Sequence, residues 1–224
     1  MKRTPPIVLI ATLAALPLTG LASTWSTTAQ FGQYNFSSGG YSVNNDVWGS
    51  GAGAQTLYVN TSSGSAPNFW VFSQQPNTGG IKSYPHMAKT INVAINSLSS
   101  LTGSYNVANS LSSGTDEHDW AFDCWVPSEV MVWTKWTSGV GPWGTLFQSN
   151  VSIGGHSYNV YQPGGPWSFL RTSQSSASSD NLAAVFKWLV SNHHLSNGTV
   201  GSCQYGVEIT SGVGWWTVNS SSIQ

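Results

Sequence analysis

Charge is scarce in this chain of 224 residues: Asp, Glu, Lys and Arg together make up only 7%. Seven basic residues stand against eight acidic ones, so there is no basic surplus to neutralise phosphates. That excludes nucleic acid as a partner, and with it binding to anionic membrane surfaces. Cysteine is nearly absent too. Two residues, Cys124 and Cys203, cannot make a disulfide scaffold, and their spacing does not decide whether they pair. Long apolar runs are missing except at the start, where Ile7 to Leu21 is interrupted by Pro17.

That first stretch has the layout of an export signal. Lys2 and Arg3 precede the apolar run, and Gly20-Leu21-Ala22 offers a small-residue cleavage site before Ser23. Residues 1–22 are therefore expected to be a secretory leader and 23–224 a single domain, secreted, extracellular and by default monomeric. Removing the leader leaves five basic residues against eight acidic, a balance of about −3. The surface must then consist mainly of Ser, Thr, Asn, Gln and Gly.

Against this polar, nearly neutral background stand aromatics, at 12% of the chain and including twelve Trp. Indole faces on a neutral surface suit a carbohydrate, whose C–H faces stack on them; the same residues could equally fill the core of a sandwich. Short alternating runs separated by Ser37-Ser-Gly-Gly40, Pro76-Asn-Thr-Gly-Gly80 and Gly154-Gly155 predict an all-β sandwich of two antiparallel sheets. One segment departs from this pattern. Leu182, Val185, Phe186 and Leu189 follow helical spacing after Ser179 or Asp180, either a good N-cap. The helix is expected to end near Ser191–Asn192 and to lie on the outside of one sheet, leaving His193 and His194 in water.

With so few acids, each can be placed by strand alternation. Glu129, Met131 and Trp133 share one face of a strand, with Val130 and Val132 on the core side. Gln204, Gly206 and Glu208 share a second such face, and Ala121, Asp123 and Trp125 a third. Three carboxyls interrupting apolar strands mark a polar cleft, which a glycosidase, a lectin-like module or a structural sandwich could each possess. Pro127-Ser128 predicts a tight hairpin that brings Asp123 and Glu129 together. The Asp116-Glu-His-Asp119 cluster is expected to be a solvated turn, the alternative being metal ligands from Asp116, His118 and Asp119.

Four stretches resemble glycoside hydrolase family 12, the small endoglucanases and xyloglucanases with a β-jelly-roll fold. Glu129-Val-Met-Val-Trp133 resembles the family's nucleophile strand, and Gly206-Val-Glu208 its acid/base strand. Ala121-Phe-Asp-Cys-Trp125 is similar to the strand whose Asp neighbours the nucleophile. Tyr41-Ser-Val-Asn-Asn-Asp-Val-Trp-Gly49 is similar to the strand whose Trp stacks on a glucose. The resemblance runs in order from about Gly32 to the C-terminus and implies a concave cleft. It also implies Glu129 as nucleophile, Glu208 as acid/base, Asp123 as the nucleophile's partner, Met131 beneath the reacting sugar and Trp48 as sugar platform. Trp125, Trp133 and Trp143, the last on a loop expected to border the cleft, are further candidates for substrate contact.

The implied chemistry is endo-cleavage of β-1,4-linked glucans by double displacement, with no cofactor or metal, and an acidic optimum set partly by Asp123 beside Glu129. Departures from the pattern are the short span between Asp123 and Glu129, Val-Glu-Ile in the acid/base strand, and Asp46 where the family usually has Asn. Asp46 adds a carboxyl to the substrate-binding candidates. Alternatives on the same scaffold are a xyloglucan-specific enzyme and a non-catalytic carbohydrate-binding sandwich; a related xylanase would surround both Glu with Tyr, which this chain does not.

Overall fold

The computed structural model describes residues 24–112, 116–162 and 164–224; the expected leader lies outside the described residues. Among the described residues, fourteen strands, one α-helix and a short 3-10 turn at Ile95–Ser97 follow in order. The strands are β1 (Thr24–Thr27), β2 (Gln33–Asn35), β3 (Tyr41–Asn44), β4 (Gln55–Asn60), β5 (Phe69–Gln75), β6 (His86–Ala94) and β7 (Thr102–Leu111). There follow β8 (Glu117–Val126), β9 (Ser128–Trp136), β10 (Thr145–Ile153), β11 (His156–Gln162), β12 (Trp167–Arg171), β13 (Ala177–Asn181), helix α1 (Leu182–Ser191) and β14 (Thr199–Ile223).

The chain is all-β, a β-jelly-roll of two curved sheets sharing one long strand. The inner sheet runs β2-β3-β6-β14-β8-β9-β12-β11-β10, and the outer sheet β1-β4-β5-β14-β7-β13. Among the described residues, only the β9–β12 pair is parallel. The stretches Gln204–Thr210 and Trp216–Ser220 belong to one long strand, β14. The N-terminal half of β14 pairs β6 and β8, and after Ser211 it passes to β5 and β7. Gly212 and Gly214 make that passage possible, with φ of 125° and 151°. A Cβ at Gly214 would also run into the Ser110 carbonyl of β7.

Between the sheets lies one aromatic-rich core. Trp120, Trp216, Tyr158, Tyr205, Phe122 and Phe169 are fully buried there, each stabilising the fold by roughly 2 kcal/mol through lost apolar exposure. Val130, Val132, Val207 and Ile209 turn into this core, as alternation requires, so their odd or even neighbours must face the concave side. Cys124 and Cys203 are direct partners across β8 and β14, and they form a disulfide.

Helix α1 buries Leu182, Val185, Phe186 and Leu189, the expected stripe. Trp188 meets Phe169 of β12 edge-on, so the helix covers the part of the inner sheet beyond the reach of the outer one. Its cap is Asn181, whose side chain accepts the Ala184 N–H, rather than Ser179 or Asp180. Asp180 is turned inward instead, accepting the Tyr158 hydroxyl at 2.7 Å and facing Arg171. His194 also differs from expectation. It is half-buried among Phe147, Trp167 and Trp188, because the chain folds back at His193, where φ is 59°. Among the described residues, no helix is long and apolar enough to cross a membrane.

Candidate active site

Three strands in the middle of the inner sheet, β14, β8 and β9, carry the acids. Their register aligns Gln204, Asp123 and Met131 in one row, then Gly206, Ala121 and Trp133 in the next. Trp125 is the partner of Glu129, and Asp119 the partner of Glu208. The β8–β9 turn is as tight as expected: Val126 pairs Ser128 with only Pro127 between them. Asp123 and Glu129 therefore lie diagonally across adjacent strands on the concave face, within reach of each other's charge.

The Asp116-Glu-His-Asp119 stretch is not a solvated turn. Strand β8 begins at Glu117, and both His118 and Asp119 are buried. Alternation continues through it, so Asp119 joins Ala121, Asp123 and Trp125 on the concave side while His118 packs edge-on against Trp120 and Trp216. Among the described residues, no group of three or more His, Cys, Asp or Glu side chains could hold a metal ion.

Burial dominates the electrostatics. It raises the Glu129 carboxyl above its ordinary value and pushes Glu208 up to about 7, where the charge of Glu129 also acts. Asp123 is pushed up to about 8 by burial, then by Glu129, Glu208 and Asp46. Asp46, at the mouth, is raised to about 6 by burial. Asp119 and Glu208 are hydrogen-bonded, and Asp119 is held well above the carboxylate range by burial and by Glu208. Five of the eight acids thus converge on one face, and among the described residues none of the five pairs with a Lys or Arg. Lys82, whose backbone adjoins Ile209, spends its ammonium on the carbonyls of Ser50 and Gly79.

Asp46 has φ of 43°, a left-handed conformation that Asn and Asp tolerate better than most residues. That explains how Asp can stand where the family usually has Asn. His86 lies 3.7 Å from Asp46, yet this is no ion pair. Burial lowers the imidazole to about 4, and its Nδ1–H donates to the Tyr84 carbonyl at 2.6 Å, so the ring is neutral. Gly206 is needed beside it, since a Cβ there would strike the Pro85 carbonyl and His86. Tyr84 stacks on His86 at 4.8 Å and donates its hydroxyl to the Ala121 carbonyl at 3.1 Å, among Asp123, Glu208 and Asp119.

A groove of about 360 Å³ leads away from the acids, lined by Gln33, Asn44, Asp46, His86 and Gln204 among others. Trp48, 50% exposed, follows Asp46 in the chain, and its neighbours Val47 and Gly49 line a second groove of about 550 Å³. Trp125, 51% exposed, stands beside Glu129, and Trp143, 70% exposed, lies against Gly165. Met131 and Trp133 are buried in a small cluster with Ala121 and Leu170, so Trp133 offers little ring face. Sequence reasoning missed Asp119, His86 and Tyr84. For Asp119 the signal existed, since it is in phase with Asp123; for His86 and Tyr84 only the pairing of β6 with β14 reveals the site.

Carboxyls held neutral by folding bind more protons in the native than in the unfolded chain, so stability should fall as pH rises. The window is set by Asp46 at about 6, Glu208 at about 7 and Asp123 at about 8. Melting followed from pH 5 to pH 9 is expected to give a steadily declining midpoint; a rising one would mean these acids are ionised in the folded protein.

A concave jelly-roll face with paired carboxyls, both raised by burial and one of them raised to about 7, is the frame of a glycoside hydrolase. No family sequence model matches the chain, and no curated protein matches it by sequence. Solved structures do. The xyloglucanase domain of NopAA, a type three effector from Sinorhizobium fredii, is 34% identical over 89% of this chain and 98% of that one, with a TM-score of 0.80. Endoglucanase 3 of Trichoderma harzianum, from family 12, is 25% identical over 91% and 98%, with a TM-score of 0.81. The family 12 xyloglucanase of Bacillus licheniformis, at 21% identity, 89% and 99% coverage and a TM-score of 0.75, shares the fold. The chain belongs to glycoside hydrolase family 12, as a divergent member.

Proposed function

We propose that this protein is a retaining endo-β-1,4-glucanase, exported as residues 23–224 after loss of its leader. The reading is carried by one observation: Glu129 and Glu208 open onto one concave face, where the charge of Glu129 helps burial to hold Glu208 protonated up to about 7. Between the ionisation of Glu129 and that of Glu208 near 7, one is a carboxylate and the other a carboxylic acid. Double displacement requires that combination. Glu129 attacks the anomeric carbon while Glu208 gives its proton to the departing glycosidic oxygen. Glu208, now ionised, takes a proton from water, whose oxygen displaces Glu129 from the sugar. Asp123, protonated through neutrality, can offer a hydrogen bond to the Glu129 carboxylate without adding a second charge. The groove lined by Gln33, Asn44, His86 and Gln204, with Trp48 and Trp125 half-exposed nearby in the chain or across the ladder from Glu129, suits an uncharged polysaccharide.

Cellulose and mixed-linkage glucan are the proposed substrates. The likeness to the NopAA xyloglucanase domain supports a second reading, a xyloglucan-specific enzyme, and the short β8–β9 turn adds no long loop next to Trp125. Reducing-sugar release from mixed-linkage glucan, xyloglucan and xylan, measured from pH 4 to pH 9, tests both. Cleavage of either glucan, with activity declining above about pH 7, is expected. The better glucan names the substrate. Binding without cleavage of any polymer would sink the enzyme reading and leave a lectin-like sandwich.

A further inference from the structure

Asp119 has no role in the chemistry above, yet it is the acid most deeply tied to it. It faces Glu208 directly across the β14–β8 ladder, is 2% exposed, and hydrogen-bonds the Glu208 carboxyl. Its Oδ2 has no partner at all. Two carboxyls can hydrogen-bond only if one carries a proton, and among the described residues no Lys, Arg or His pairs with either to compensate two charges. The other titratable groups around the pair are Glu129 of β9, Asp123 of β8, Tyr84 just before β6, His86 at its start, and, beyond Asp123, Asp46 after β3. All are acidic or neutral, since His86 is uncharged, so each added negative charge meets only repulsion.

We propose that Asp119 is a positioning residue that stays protonated throughout the cycle and donates its hydrogen bond to Glu208. This inference rests on the assignment of Glu208 as the acid/base. When Glu208 releases its proton to the leaving oxygen, the Asp119 O–H stabilises the new carboxylate and fixes which oxygen remains free to receive the proton of water. The proton on Asp119 is never transferred: the O–H bond persists, and only its acceptor changes charge. Asp119 thus opposes the effect of burial, which would otherwise hold the proton on Glu208 too tightly for its transfer to the leaving oxygen in the first step. The hydrogen bond lowers Glu208 while Asp119 itself rises, the pattern of a neutral donor facing an anionic acceptor.

The test compares three variants with wild type on soluble mixed-linkage glucan across pH, with melting midpoints as a folding control. Asp119→Asn keeps a neutral N–H donor in the same place, so its alkaline limb should stay within about half a pH unit and kcat within about threefold. Asp119→Leu removes the donor without opening a water-sized gap. Its alkaline limb should move up by about one pH unit, with kcat about tenfold lower near pH 6 and KM little changed. If the Leu variant does not fold, Asp119→Ala should show the same upward direction. An unmoved limb in the Leu or Ala variant, or a limb displaced in Asn as far as in Leu, would overturn the proposal. Glu208→Gln is measured alongside. If it still hydrolyses glucan, the acid/base assignment and the positioning role fall together; if it is inactive, the Asp119 variants alone decide.

Discussion

Glu129→Ala should lose glucan hydrolysis by about four to six orders of magnitude, and azide should restore part of the turnover on an activated substrate. Loss alone would be weak support, since removing any carboxyl from this crowded face disturbs its neighbours. Rescue is more discriminating. Shortening Glu129 opens a space beside Met131 and Trp125, on the side of the sugar from which the nucleophile attacks. Azide in that space would displace the aryloxide of a dinitrophenyl cellobioside and form a glycosyl azide of α configuration. Rescue without any azide adduct, or no rescue in a folded variant, would remove Glu129 from the nucleophile's role.

The second large effect is expected at Glu208, and its form depends on the leaving group. Glu208→Ala should cost about two to four orders of magnitude on glucan, whose alkoxide needs a proton, and much less in the first step with dinitrophenolate. The glycosyl-enzyme then accumulates, because water has lost its base, and a burst of phenolate should precede slow turnover. Azide needs no deprotonation, so it should clear this intermediate and give the β-glycosyl azide. Opposite anomers from the two variants would assign the two glutamates independently of each other. The same anomer from both would contradict the division of roles, whatever the size of the rate losses.

Much of this arrangement could be read from residue order. Alternation separated Val130 and Val132 from Glu129 and Met131, and the single Pro127 between β8 and β9 forced Asp123 toward Glu129. The helical stripe from Leu182 to Leu189 was legible for the same reason, a period that only one face can satisfy. What escaped was decided between strands far apart in sequence. The β6 strand contains Lys89, Thr90 and Asn92, with φ of 53° at Asn92, so its pattern lacked a clean period. Without that strand, His86 and Tyr84 had no reason to appear beside Gly206. Asp119 looked like part of a polar turn because Asp116, Glu117 and His118 surround it, yet β8 extends through them and buries it against Glu208. The cap fell to Asn181 because Asp180 found a buried partner in Tyr158, a contact between β13 and β11 that no local rule anticipates.

The most direct test is stereochemical. Hydrolysis of a short cello-oligosaccharide can be followed by proton NMR from the first minute, before the new reducing end equilibrates. Double displacement through Glu129 requires the β anomer to appear first and the α anomer to grow in only at the rate of mutarotation. An α anomer formed first would mean that water attacks directly, with Glu129 as a base, and the covalent role assigned to it here would be wrong.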